Sequence, residues 1–336
     1  MGHSALAGVS LVLLAGLMSG TCMLPWKFVR TWKWENVWLV FSLISLAVIP
    51  WILAFAFVGR LFETYRALAL QQLVIPILLG AGWGIAQILF GVSVKRLGLG
   101  IAYAIIVGLG AVLGTLVPLF IQQRAVANEH AVTLILSGVV VMSIGIFLTA
   151  WSGQIRDRAA TVHQNSPQRS YLTAIFLALL CGLMAPMLNY SFAFGQDIAK
   201  AAVVLGNQPV HAAYAVWPVG LAGGLIPNAA YSLWLLVKNR TWALFRSTPP
   251  DFLRSSGMGV LWMGAFALYG MSAVYLGPLG TSVGWGLLQI FMIMTATMAG
   301  VLTGEWKHAC RSARLLLGSG IGGLTVAIVL LAAGSV

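Results

Sequence analysis

Ten stretches of this sequence are long and apolar enough to cross a membrane as helices. A spanning helix needs about 20 mostly apolar residues, and its backbone polar groups have to bond to one another within a helix or a closed barrel. The stretches are continuously apolar and do not alternate between apolar and polar residues, which favours helices over barrel strands. Their predicted bounds are 4–24, 37–58, 73–94, 99–120, 131–151, 171–193, 212–237, 255–276, 280–303 and 313–334.

The composition also indicates an integral membrane protein. Hydrophobic residues make up 60% of the chain and charged residues only 8%, whereas soluble domains carry about 25% charged residues. The first apolar stretch, 4–24, lacks the basic segment that begins a signal peptide, so we expect it to be a retained helix. The predicted fold class is therefore all-α, with ten transmembrane helices in a lipid bilayer.

The distribution of basic residues predicts the orientation of the chain. A net charge of +12 would suggest nucleic acid in a soluble protein, but these residues form no single face, and no nucleic-acid partner is expected. Of the 19 Lys and Arg residues, 15 lie in odd-numbered connections between the stretches. Because cytoplasmic loops are enriched in Lys and Arg, this pattern predicts a multi-pass protein of the plasma (inner) membrane, with both termini outside the cytoplasm.

The first connection lies in the segment TCMLPWKFVRTWKWENVW at 21–38, where basic and aromatic residues are mixed. Lys27, Arg30 and Lys33 are predicted to hold this connection on the cytoplasmic side. The Trp residues are typical of the aromatic belt at a membrane interface. They are Trp26, Trp32, Trp34 and Trp38.

The polar segment around 153–170 divides the chain into two groups of five helices, which we predict to be two inverted repeats, 1–152 and 171–336. Because each repeat has an odd number of helices, the second repeat crosses the membrane in the opposite orientation to the first. Residual similarity is present, since AGLMSG at 15–20 is similar to CGLMAP at 181–186. Inverted repeats are typical of secondary transporters.

Residues suited to catalysis or metal binding are scarce. The five His residues lie at the terminus or in connections, and the three Cys residues lack the spacing of a metal site. The sequence GTSVG at 280–284 matches a hydrolase motif, but it opens a predicted helix with no His or Asp nearby. We therefore expect no enzyme activity, no metal and no cofactor.

Amide and aromatic side chains within the helices are candidates for binding a substrate. Trp83 and Gln87 are four residues apart and share a helix face, as do Trp285 and Gln289. All seven acidic residues lie in connections or at helix ends, which favours a small neutral substrate. For each residue, packing between helices is an alternative role. The predicted substrate-binding set is Trp83, Gln87, Asn189, Asn228, Tyr231, Trp285 and Gln289, with Lys27 as a candidate gate.

The motifs and their order resemble those of the L-rhamnose–proton symporter family of the drug/metabolite transporter superfamily. The matching motifs are LPWKFVRTWKWENVW at 24–38, IPW at 49–51, GAGWGI at 80–85, LGNQP at 205–209, GGLIPN at 223–228 and GEW at 304–306. The resemblance implies ten helices in two inverted repeats, a central cavity, and sugar uptake coupled to protons. For proton-coupled members it also implies an Asp near the start of the ninth helix and a His one or two turns later; this sequence has Thr281 and Leu288 there.

We therefore expect a secondary transporter that moves a monosaccharide, L-rhamnose or a related sugar, by alternating access. Proton symport is what the resemblance implies. A drug/metabolite exporter and an uncoupled sugar facilitator of the same superfamily are alternatives. A membrane sensor or scaffold that transports nothing is an alternative from another class.

Overall fold

The computed structural model describes residues 3–160, 168–246 and 249–335. Within these ranges it contains ten helical segments that are long and apolar enough to cross a membrane, which confirms the predicted all-helical fold with ten spans. We number them span 1 to span 10. Their bounds are Ala5–Phe28, Trp34–Phe57, Leu70–Leu97, Gly100–Gln123, Glu129–Arg156, Leu172–Val204, Pro209–Asn239, Pro249–Tyr275, Gly277–Leu302 and Arg311–Ala333.

Spans 3, 5, 8 and 10 are uninterrupted α-helices, and the other spans are divided into shorter helical segments. The uninterrupted helices are Leu70–Leu97, Glu129–Ala160, Pro249–Tyr275 and Arg311–Ala333. The divided ones are His3–Thr21 and Leu24–Phe28; Trp34–Ser42, Leu43–Val48 and Ile49–Phe57; Leu99–Pro118 and Leu119–Gln123; Gln168–Met184, Met187–Phe194 and Gln196–Val204; Pro209–Ala212, Ala213–Ala215 and Val216–Asn239; and Gly277–Leu279 and Gly280–Leu302. Two short helical segments, Leu61–Arg66 and Trp242–Arg246, lie in connections.

The connection predicted at 153–170 is largely helical where the structure describes it. The helix of span 5 continues to Ala160, and the first helix of span 6 begins at Gln168. Residues 161–167 of the predicted linker lie outside the described residues. The hydropathy pattern indicates where the chain leaves lipid, whereas a helix can continue into water, and this explains the difference.

Three helix interruptions coincide with prolines inside the spans. Pro50 follows the π-helical segment of span 2, Pro118 precedes that of span 4, and Pro186 separates the first two helices of span 6. Proline has no N–H for the helical ladder and its ring collides with the preceding turn, so the helix is locally rearranged.

Glycines allow the closest contacts between spans. A Cβ added at Gly80 would lie 1.9 Å from the carbonyl oxygen of Gly220, and one added at Gly223 would lie 1.9 Å from that of Ile77. Spans 3 and 7 therefore pack backbone against backbone, which only glycine permits. Span 1 approaches span 9 in the same way, since a Cβ at Gly16 would lie 2.2 Å from the Phe291 Cβ.

The most extensive packing joins spans 1–5 to spans 6–10. Span 5 packs along span 10, span 3 along span 7, and span 1 between spans 8 and 9. Spans 3 and 4 also contact span 6, and span 2 contacts spans 7 and 8. The centre of the bundle therefore lies between spans 1, 3, 4, 6, 8 and 9.

The buried carboxylate of Asp251, at the start of span 8, fixes the segment 21–38. This side chain is 1% exposed. It accepts hydrogen bonds from the backbone N–H groups of Arg30, Thr31 and Trp32 at 2.9–3.3 Å, and from the Thr31 hydroxyl at 2.8 Å. Arg254 lies 2.7 Å away and neutralises the carboxylate. A buried charge needs such partners, so the first connection is held firmly against span 8.

The same segment also contacts the connection between spans 7 and 8. Trp32 donates from its indole nitrogen to the Leu244 carbonyl at 3.0 Å and packs edge-on against Phe245. Asn36 donates to the Thr241 carbonyl at 3.1 Å. Trp32 is 6% exposed, so its predicted place in an interfacial aromatic belt is wrong, because the ring is buried between two connections.

Candidate functional site

A central cavity of ≈ 330 Å³ lies where spans 1, 3, 4, 6, 8 and 9 meet. Ligand-binding pockets typically have volumes of about 300–1,000 Å³, so a small molecule fits. The lining residues of each span lie in its middle or in the half nearest the odd-numbered connections. We call that end of the bundle the odd-loop side, and the opposite end the even-loop side.

Both predicted Trp–Gln pairs line this cavity. Trp83 and Gln87 contribute from span 3, and Trp285 and Gln289 from span 9. Trp83 and Trp285 are about 5% exposed, so surrounding residues hold their rings in place. The Trp285 indole nitrogen also donates to the Gly110 carbonyl at 3.0 Å, which fixes the orientation of this ring.

Aromatic rings form one wall of the cavity. Trp83 stacks on Trp262, with ring centroids 5.3 Å apart and an interplanar angle of 25°. Trp262 contacts Phe266 at 4.3 Å, and Phe266 lies 6.5 Å from Trp285. Because the rings support one another, the cavity presents a rigid apolar surface with the polar edges of the Trp side chains.

The polar groups of the cavity are neutral. Among the described residues, no Asp, Glu, His, Lys or Arg lines it. Hydrogen-bonding groups are supplied by the Gln87 and Gln289 amides, the Ser19 and Tyr103 hydroxyls, and the Cys22 thiol. A charged ligand would be left without a counter-ion in this cavity, so the chemistry favours a neutral molecule with several hydroxyl or amide groups.

A smaller cavity of ≈ 190 Å³ extends towards the odd-loop side. It shares Tyr103 with the central cavity and is lined at its far end by Arg156 and Glu305. The Glu305 carboxylate pairs with Lys27 at 2.6 Å and with Arg156 at 3.3 Å, and Lys27 also donates to the Thr303 hydroxyl at 3.1 Å. The hydrogen bond from the Lys27 ammonium holds the pKa of Glu305 below its ordinary value of 4.5. This cluster joins the odd-loop ends of spans 1 and 5 to the connection after span 9.

Buried hydrogen bonds close the cavity towards the even-loop side. The Asn189 amide donates to the Gly114 carbonyl at 2.8 Å and to the Thr281 carbonyl at 3.1 Å. The Tyr269 hydroxyl bonds to the Asn189 oxygen and lies 3.1 Å from the Thr281 carbonyl. The Gln123 amide donates to the Thr281 hydroxyl. We call Gln123, Asn189, Tyr269 and Thr281 the even-side barrier.

Comparison with known proteins identifies the family. A family model described as L-rhamnose-proton symport protein matches residues 1–336. This chain belongs to that family. It is similar to the L-rhamnose-proton symporter of Klebsiella pneumoniae subsp. pneumoniae, with 25% identity over 93% of this chain and 92% of that protein. It is also similar to the one from Citrobacter koseri, with 25% identity over 89% of each chain. Family membership and ten apolar spans make it a multi-pass membrane transport protein and not an enzyme.

Other predicted site residues of this symporter-family protein lie outside the central cavity. Asn189 lies in the even-side barrier. Asn228 is buried and joins helices: its oxygen accepts from the Trp38 indole at 2.8 Å, and its amide donates to the Gly224 carbonyl of its own helix at 2.8 Å. Tyr231 packs with Trp34 and other aromatic rings near the odd-loop end of span 7. Lys27 belongs to the Glu305 cluster.

Four aromatic residues that line the cavity of this family member are absent from the predicted substrate-binding set: Phe90, Tyr103, Trp262 and Phe266. Trp262 and Phe266 are four residues apart on span 8, and this spacing, the same as in the Trp–Gln pairs, places both on one helix face. Tyr103 follows the glycine-rich start of span 4, where no local pattern distinguishes a cavity-lining Tyr from a packing one.

Proposed function

We propose that this protein carries a neutral monosaccharide, L-rhamnose or a similar sugar, across the plasma (inner) membrane by alternating access, with protons as the coupled ion. The observation that carries the proposal is the uncharged central cavity with its two Trp–Gln pairs. Membership of the family and the name of the curated relatives agree with this substrate and with proton coupling.

The cavity has the chemistry that a sugar ring needs. One face of a pyranose ring exposes C–H groups, and such a face packs well against an indole. The hydroxyls around the ring both donate and accept hydrogen bonds, as do the Gln87 and Gln289 amides. We therefore assign ring contact to Trp83 and Trp285, and hydroxyl recognition to the two amides.

The closed even side and the passage towards the odd-loop side support alternating access. Since most basic residues lie in odd-numbered connections, we assign the odd-loop side to the cytoplasm and both termini to the opposite side. The central cavity then faces the cytoplasm in this conformation. In this proposal Lys27 acts as a gate, because its ion pair with Glu305 joins the end of span 1 to the connection after span 9 at the cytoplasmic end of the passage.

The pairing of helices supports the proposed inverted repeats. If the halves are repeats, span 1 is equivalent to span 6, span 2 to span 7, and so on to spans 5 and 10. Exchange of equivalent spans then converts the contact of span 1 with span 8 into that of span 6 with span 3, and both contacts are present. It likewise converts the contact of span 1 with span 9 into that of span 6 with span 4, and the contact of span 2 with span 8 into that of span 7 with span 3. The pairs of span 5 with 10, span 4 with 9 and span 2 with 7 convert into themselves. We assign the repeats to 1–152 and 171–336, joined by the linker 153–170.

The remaining predicted residues receive supporting roles in the proposal. Asn189 does not line the central cavity but closes its even side, so we assign it to the transition between states. Asn228 donates to the Gly84 carbonyl at 3.5 Å and so holds span 7 against the helix that carries Trp83, whereas Tyr231 packs span 7 against Trp34 of span 2.

An uncoupled facilitator is a second candidate function. It is favoured by the neutral cavity lining and by Thr281, since a proton-coupled carrier often uses a titratable group at depth. In a facilitator, the sugar gradient alone drives transport.

Uptake of labelled L-rhamnose into proteoliposomes tests both candidates. We expect flux that an inward proton gradient accelerates, and strong loss of flux in Gln87→Ala and Gln289→Ala. Gln71→Ala is a matched control, since Gln71 is exposed and lies on span 3 but not at the cavity. Flux that ignores the gradient selects the facilitator. Absence of sugar flux in the wild-type protein refutes the proposed function.

A further inference from the structure

A second pocket, of ≈ 510 Å³, lies on the even-loop side, beyond the barrier. It is formed by the ends of spans 4, 6 and 8 and by the start of span 9. Its polar side chains are Gln122, Gln123, Gln196, Asp197, Lys200 and Thr281. We call it the outer pocket.

The polar groups of the outer pocket are oriented by hydrogen bonds. The Gln122 amide donates to the Ala193 carbonyl at 3.3 Å, and the Gln196 amide donates to the Phe192 carbonyl at 3.0 Å. Gln122 and Gln196 therefore each use one N–H group on the backbone and retain the amide oxygen and a second N–H group for a ligand.

A charged pair distinguishes the outer pocket from the central cavity. Lys200 donates to one oxygen of the Asp197 carboxylate at 3.0 Å, and Gln72 donates to the other at 3.1 Å. The Asp197 side chain is 46% exposed and lines the pocket, so its carboxylate has acceptor capacity left for a ligand there. A carboxylate accepts hydrogen bonds from neighbouring hydroxyls more strongly than a neutral group does. The Phe194 ring and Pro278 add apolar surface against which a sugar face can pack.

The barrier directly separates the outer pocket from the central cavity. Gln123 and Thr281 line the outer pocket and also form part of the barrier. On the opposite side of the barrier, the Tyr269 ring lies 6.0 Å from the ring of Trp285, which lines the central cavity. A ligand in the outer pocket is therefore one hydrogen-bonded layer away from the central cavity, and the two volumes lie in series.

We propose that the outer pocket is a second sugar-binding site, which holds a neutral sugar through Asp197, Gln122 and Gln196 before the barrier opens. The inference rests on the proposed function, since the same sugar occupies both sites. The outer site binds through charge-assisted hydrogen bonds, whereas the central site binds through aromatic contact and amides. The protein accordingly binds two sugars per chain in this conformation.

Equilibrium binding of labelled L-rhamnose to the purified full-length protein tests the inference by stoichiometry. We expect two sugars per wild-type chain, and one per chain in the double variant Asp197→Asn, Gln196→Ala. Trp285→Ala should also retain one sugar, in the outer pocket. Glu63→Gln is a control, because Glu63 is an exposed ion-paired carboxylate in an even-numbered connection and does not line the pocket.

The outcomes separate this inference from the proposed function. If the double variant still binds one sugar, the variant is folded. A decrease from two bound sugars in the wild-type protein to one in the double variant then supports the outer site. Binding of a single sugar that Trp285→Ala removes and the double variant leaves unchanged overturns the outer site and keeps the proposed function. Absence of any sugar binding to the wild-type protein overturns both.

Discussion

Replacement of Gly114 with alanine should displace the Trp285 ring from its place in the central cavity. An added Cβ would lie 2.1 Å from the indole nitrogen of Trp285, whereas ordinary contact begins at 3.4 Å. The ring therefore has to move by about 1 Å. It has little room to do so, because it is 4% exposed and lies between Tyr269 and Phe266.

Two costs to stability follow from this displacement. The hydrogen bond from the Trp285 nitrogen to the Gly110 carbonyl, 3.0 Å long, is lost, which costs about 0.5–1.5 kcal/mol. Overpacking of a buried contact adds about 1–3 kcal/mol. We therefore expect the free energy of unfolding to fall by roughly 1.5–4.5 kcal/mol.

The same displacement should weaken sugar binding. If a well-placed aromatic contact contributes about 0.5–1.5 kcal/mol, its loss raises the KM for sugar uptake about 2- to 12-fold. Uptake into proteoliposomes measures KM, and thermal unfolding in detergent measures stability.

Gly108→Ala is the matched control for this experiment. Gly108 lies on the same span, and a Cβ added there meets nothing within 4 Å. We expect its KM and its Tm to stay at the wild-type values or its Tm to rise slightly, because alanine favours a helix. A Gly114→Ala protein with wild-type KM and Tm would refute the role assigned to the Trp285 ring.

Three further predictions concern other parts of the molecule. Asp251→Asn should lower the free energy of unfolding by about 2–4 kcal/mol, because the buried carboxylate accepts from three backbone N–H groups; thermal unfolding measures this, and Glu63→Gln should show no change. The pKa of Glu305 is below 4.5, so stabilisation by its ion pairs is complete above pH 4.5 and lost as the pH falls through the lowered pKa. The Tm difference between wild type and Glu305→Gln should therefore stay constant from about pH 6 to 8 and shrink below about pH 4, and a difference that grows in acid would contradict the assignment. Finally, sugar should slow alkylation of Cys22, which lines the central cavity, but not of the exposed Cys310, as measured by mass spectrometry of the labelled chain.

The parts of the structure that depend on local periodicity could be predicted from the sequence. Hydropathy located the ten spans because each crosses lipid on its own. The Trp–Gln pairs could be assigned to one face of each helix because residues four apart point in the same direction. Both faces are directed to the same cavity, but this depends on how spans 3 and 9 are rotated, which no local pattern determines.

Parts that depend on distant partners could not be predicted. Asn189, Asn228 and Gln87 are all amides within apolar helices, yet two of them bond to neighbouring helices and one lines the cavity. An amide side chain suits both a hydrogen bond to a neighbouring helix and a hydrogen bond to a ligand. The sequence alone therefore does not distinguish these two roles. The contact of Asp251 with the first connection joins residues about 220 positions apart and has no local signal either.

The glycine contact between spans 3 and 7 has a consequence for the biosynthesis of the protein. Span 3 is translated well before span 7, and translation at about 5–20 residues per second implies a delay on the order of ten seconds. During this time the glycine face around Gly80 has no helix to cover it, and lipid chains occupy the groove instead. Span 7 has to displace that lipid when it is inserted, as spans 8 and 9 do along span 1. The helices of the first half therefore stay in the bilayer with their glycine faces in contact with lipid until spans 7–9 are inserted, and the compact bundle forms only after that.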